Sequence, residues 1–139
     1  MFFVDEIVSR LKVAGIGVDL LDAQHWPDYL GDAVATFRTD CLILKFSQHD
    51  DEEFLEVASV MAPGQFFWFG DIEVALGWSS PERMQSRAHA PPLGEVINRL
   101  VQHLPDLKKA FFKNIDAFTY SAIARTMRPK ALHLVRVQH

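Results

Sequence analysis

Residues 46–57 read FSQHDDEEFLEV, with one histidine and four carboxylates in a row between two apolar stretches. Three chemistries would use such residues: metal binding, paired-carboxylate hydrolysis, and attraction of a cationic partner. A calcium loop of the EF-hand type alternates its ligands around a central glycine and ends on a glutamate. This stretch has neither the alternation nor the glycine. Contiguous side chains on an extended or turning backbone also diverge, so His49 and its neighbours do not converge on one ion. A hydrolase would need one carboxyl raised in pKa by an apolar pocket, and a solvated turn offers none. Two readings remain open: a solubilising turn that keeps a hairpin from aggregating, and a contact for a basic partner.

The rest of the chain adds no catalytic constellation. The six histidines show no HExxH or HxH spacing. His103 falls on the polar side of its helix and is expected to be exposed. No serine stands in a GxSxG context, and there is neither a GxGxxG nor a phosphate-loop pattern. Cys41 is the only cysteine, which rules out a disulfide framework and a cysteine-based zinc site and fits a reducing cytoplasm. We therefore expect no catalytic residue, no metal ligand and no cofactor. The aromatic run FFWF at 66–69 suits a core better than a binding platform. Arg83, Arg87, Arg99, Lys108, Lys109, Lys113, Arg125, Arg128 and Lys130 lack interleaved stacking aromatics, so a solvated helical face is expected there rather than a nucleic-acid surface.

With 139 residues, 49% hydrophobic and 23% charged, the chain suits one globular domain, 1–139. The opening MFFVDEIVSR lacks the basic region of a secretory signal, and no apolar run reaches the ~20 residues that span a bilayer. The net charge of −4 hides a split. Residues 1–78 hold 14 acids against 4 bases, and residues 79–139 hold 4 acids against 10 bases. Either one half is offered to an oppositely charged partner or the two halves attract each other within one fold.

The elements that must position these residues follow from periodicity. Val4, Ile7, Val8 and Leu11 recur at the helical spacing, with Gly15 beyond them as a stop. GIGVDLLD is expected to be a brief strand and AQHWPDYLGD a loop. The period then becomes two, predicting strands near 33–38, 41–47 and 53–59 in an antiparallel meander. Asp71 is placed to cap a short helix carrying Ile72, Ala75 and Leu76, with Gly77 as its left-handed terminator. Residues 79–92 form the longest loop. Leu93, Val96, Ile97, Leu100, Val101 and Leu104 make a core-facing stripe, Pro105 suits the first turn of a new helix, and Leu107, Phe111, Ile115 and Phe118 continue the pattern. The tail KALHLVRVQH reads as an extra strand or a frayed end.

The class is therefore α+β: an antiparallel meander of three to four strands, an N-terminal helix, and C-terminal helices packed on one face. One core should join Leu42, Leu44, Phe46, Phe54 and Val57 to Val96, Ile97, Leu100, Phe111 and Phe118. The order of an N-terminal helix, CLILKFSQHDDEEFLEV, FGDIEVALG and LKKAFFKNIDAF resembles small bacterial toxin-immunity proteins. That resemblance implies a non-enzymatic protein that neutralises a cognate secreted or contact-delivered toxin by covering a basic surface or active site. It brings no catalytic residues. A secretion-chaperone-like effector-binding protein and a small-ligand protein or enzyme with a pocket near FFWF are the alternatives. The expected partner contact centres on Asp50, Asp51, Glu52 and Glu53, with Asp40, Glu56, Asp71 and Glu73 around it and Phe67 or Trp68 as the apolar anchor. The partner is the cognate toxin or another basic protein. Membrane and nucleic acid are not expected as partners.

Overall fold

The structure is a computed structural model that describes residues 2–26, 32–49, 52–80, 92–112 and 123. It contains helix α1 (Phe2–Val13) and strands β1 (Asp19–Trp26), β2 (Asp32–Thr39), β3 (Leu42–His49), β4 (Glu52–Ser59) and β5 (Phe67–Trp68). Helices α2 (Phe69–Ala75) and α3 (Leu93–Phe111) complete the described elements. The strands form one antiparallel sheet in the order β1-β2-β3-β4-β5, so the class is α+β. The 33–59 meander is its centre, and β1 and β5 extend it to five strands.

Alternation sorts the sheet into two faces. Ala33, Ala35 and Phe37 of β2, Leu42, Leu44 and Phe46 of β3, and Leu55 and Val57 of β4 are buried on the inner face. Phe37 and Phe46 meet edge to face, with ring centroids 6.0 Å apart. The inner face joins one core with Phe3, Val4, Ile7 and Leu11 of α1 and with Leu93, Val96, Ile97, Leu100, Leu104, Leu107 and Phe111 of α3. Phe54 lies outside this core, contrary to expectation. Its position on β4 differs in parity from that of Val57, so it shares the outer face with Glu52 and Glu56 and packs on Trp68, 5.3 Å between centroids. Leu55 takes the inward place. Phe118 lies outside the described residues.

Local chemistry ends the helices where the sequence places its glycines. Gly15 adopts φ +80°, its N–H donates to the Lys12 carbonyl at 3.0 Å, and the Ile16 N–H donates to the Leu11 carbonyl at 2.9 Å. That is the Schellman closure, which needs the left-handed residue at this point. Gly77, also at φ +80°, closes α2 in the same way, with Trp78 N–H donating to Glu73 at 2.7 Å.

Three expectations are corrected. First, β1 is no brief strand: Ala23–Trp26, read as loop, pair in register with Asp32–Ala35 of β2. Second, Asp71 does not cap α2, because the helix begins at Phe69 and Trp68 is the N-cap. Third, Pro105 opens no new helix but sits inside α3. A proline there removes one backbone hydrogen bond at a cost of about 3 kcal/mol. Leu104, Leu107 and Phe111 bury the same stripe as Leu93–Leu100, and each large buried side chain contributes about 1.5–3 kcal/mol. The stripe outweighs the proline.

Candidate interface

The acidic hairpin is built by β3 and β4, whose register brings His49 opposite Glu52. Residues 50 and 51 lie between them, so Asp50 and Asp51, the centre of the expected contact, are outside the described residues. The carboxylates that follow are turned to different uses by the alternation of the strand. Glu53 points to the inner face, and its Oε2 accepts a hydrogen bond from the Leu93 N–H at 2.8 Å. Pro92 is the N-cap of α3 and supplies no side-chain acceptor, so a glutamate from the sheet satisfies an orphan helix donor and meets the positive end of the helix dipole. Glu56 faces outward, 3.9 Å from the Lys45 ammonium. That ammonium lies 5.1 Å from the centre of the Phe66 ring, a cation–π contact. Glu52 is half-buried on the same outer face. His49 and Asp32, opposite each other at the end of β2 and β3, are joined at 2.7 Å.

Of the remaining candidates, Asp71, Glu73 and Phe67 are drawn into the molecule. Asp71 and Glu73 are buried, at 2% and 3% exposure, and present no carboxylate to a partner. Glu73 accepts a hydrogen bond from Arg99 Nη2 of α3 at 3.0 Å, its other carboxylate oxygen lies 3.0 Å from Nε as an ion pair, and Arg99 Nη1 reaches Glu95 at 3.1 Å. Phe67 is buried against Phe111, 6.2 Å between centroids. Trp68, on the other side of the same strand, remains half-buried on the outer face beside Phe54. Asp40 is exposed at the β2–β3 turn with φ +49°, a conformation that aspartate tolerates better than most residues. Its carboxylate accepts from the Lys108 ammonium at 2.6 Å. That hydrogen bond, and the charge behind it, hold the Asp40 carboxyl below its ordinary pKa.

Two of these pairs, Asp40–Lys108 and Glu73–Arg99, join the acidic half of the sequence to the basic half. Part of the charge asymmetry is thereby neutralised inside one fold. His103 is corrected as well: it stacks on Trp78 with ring centroids 4.1 Å apart and planes 7° from parallel. Cys41 is half-buried, with Sγ 3.5 Å from the Lys108 carbonyl, and burial pushes its thiol pKa up.

Sequence reasoning missed the most open part of the sheet. Seven of the eight residues of β1 are exposed, and Leu20, Leu21 and Trp26 are among the exposed large apolar side chains, at 52%, 52% and 40%. Asp19 and Asp22 alternate with them, and DLLDAQHW carries no lysine or arginine. Among the described residues β1 pairs only with β2, which leaves its other edge as the rim of the sheet. The available signal was composition: two leucines at the end of the expected brief strand and a tryptophan in the segment read as a loop.

No family model, curated protein or solved structure matches this chain. The chemistry must therefore be read from the arrangement itself. Among the described residues no group of three or more His, Cys, Asp or Glu is placed to hold a metal ion, and no described helix is long and apolar enough to cross a membrane. What the described surface offers is the apolar area of β1 with carboxylates beside it.

Proposed function

We propose that this is a non-enzymatic binding protein of the immunity type, which neutralises a cognate toxin in the cytoplasm by occluding a basic surface or active site. The observation that carries the reading is β1, an exposed strand on which Leu20, Leu21 and Trp26 stand beside Asp19 and Asp22. Large apolar side chains held on a sheet supply anchors at low entropic cost, and the neighbouring carboxylates steer a cationic partner into encounter. The contact is shifted from the one expected on sequence. Asp71, Glu73 and Phe67 are buried within the fold, whereas Glu52, Glu56 and Trp68 remain on the outer face as its acidic continuation.

The test is coexpression with the products of adjacent genes in a host that those products poison. The chain should restore growth, and the Leu21→Asp/Asp22→Lys double variant, with unchanged circular dichroism, should not. Full rescue by that variant, or no rescue by the natural chain, overturns the proposal.

A further inference from the structure

We propose that the partner engages β1 by adding an extended, cationic segment of its own chain as a sixth strand, so that recognition runs through the backbone as well as through side chains. This inference rests on the immunity-type reading and names the mode of contact. A sheet edge presents a row of main-chain donors and acceptors, and proteins guard such edges with lysine, proline, very short strands or inward-pointing charge. β5, at the other side of the sheet, is guarded by being only two residues long and running directly into α2. β1 is eight residues long and contains neither lysine nor proline.

Its one irregularity is a register shift between Leu20 and Asp22, after which Asp22–Trp26 pair regularly with Asp32–Thr36 of β2. That leaves a regular five-residue edge, the length of an ordinary strand. On it Asp22, Gln24 and Trp26 share the outer face, while Ala23 and His25 share the inner one. An incoming strand would set a base beside Asp22 and an apolar group beside Trp26.

Charge decides the occupant. A second copy of β1 would bring another Asp19 and Asp22 to the seam with no lysine or arginine on either strand, and like charges on neighbouring strands repel. A basic segment pairs those same carboxylates. Strand addition of this kind draws affinity from main-chain hydrogen bonds and specificity from alternate side chains.

Three synthetic octapeptides test the mode: one alternating arginine and valine, one alternating glutamate and valine, and the arginine peptide with its backbone amides N-methylated. The readout is amide hydrogen exchange of Asp22–Trp26 in the full chain. The arginine peptide should slow exchange there about tenfold and move the Trp26 indole resonance. The other two peptides should do neither. Equal protection by the N-methylated peptide means charge attraction without strand pairing and overturns the inference, as does protection by the glutamate peptide or no protection at all. Slow exchange that grows with protein concentration in the absence of peptide assigns the edge to a second copy and also overturns it. Growth rescue by the natural chain with unprotected β1 amides in its complex defeats the strand-addition mode alone. Failure of rescue defeats the reading beneath it.

Discussion

Two acidic regions of the same sheet have opposite fates. In the β3–β4 hairpin two described carboxylates have partners within the fold, Glu53 at the start of α3 and Glu56 beside Lys45, and the inner side chains Phe46, Leu55 and Val57 are buried. In β1 the carboxylates lie among exposed leucines and a tryptophan. The hairpin holds the greater density of charge in the sequence, and β1 the greater surface. Density of a residue type along a chain is thus a poor guide to what a surface offers, because alternation and pairing decide where each side chain goes.

The largest effect that separates the two regions should come from Phe46→Ala, which removes a fully buried ring from β3. Chemical denaturation should show a loss of about 4 kcal/mol. Glu73→Ala follows, because it leaves the Arg99 guanidinium, itself only 18% exposed, without its buried partner. A loss of about 3 kcal/mol is expected in the same assay. Retained stability in this variant would mean that Glu95 and water suffice for Arg99, and would weaken the claim that this acid is committed to the fold.

Glu53→Ala removes the acceptor for the Leu93 N–H and should cost about 1 kcal/mol, with faster hydrogen exchange in the first turn of α3. Asp40 gives a pH signature. Lys108 lowers its carboxyl pKa from 3.8, so the pair stabilises the fold above that value and the contribution fades as pH falls through the lower, folded-state pKa. Asp40→Asn keeps a residue that tolerates positive φ. Its stability deficit at neutral pH should shrink steadily in acid below about pH 4. The smallest effect belongs to β1. Leu21→Ser and Trp26→Ser should each change stability by less than about 0.5 kcal/mol, and a drop above 2 kcal/mol at either site would show that β1 is part of the core after all.

Much of the architecture was readable because burial leaves a period. Ile7 and Leu11 in α1, Leu42, Leu44 and Phe46 in β3, and the α3 stripe from Leu93 to Leu104 all fall where their spacing predicts. Gly15 and Gly77 were readable because their left-handed backbone favours glycine. The start of β1 was readable as a brief strand, but Ala23–Trp26 were not, because an exposed edge strand buries neither face and so carries no alternation; only their pairing to β2 makes them strand. The candidate contact was readable as charge but not as place. Glu73 finds its partner 26 residues away in Arg99, Glu53 acts on a backbone N–H 40 residues away, and Trp78 stacks on the sequence-distant His103. None of these encounters leaves a local pattern. Pro105 misled for the opposite reason: a strong local rule was overridden by a longer stripe.

Because every hydrogen-bonded strand pair in this sheet joins neighbours along the chain, its assembly needs only short loop closures. Such closures cost little entropy, and sheets made this way form early. The long-range contacts, Glu53 with Leu93 and Cys41 with Lys108, can close only when α3 has been made and docked. β1 and β2 are therefore both complete in the chain well before α3, and their pairing is expected to form before α3 docks on the inner face.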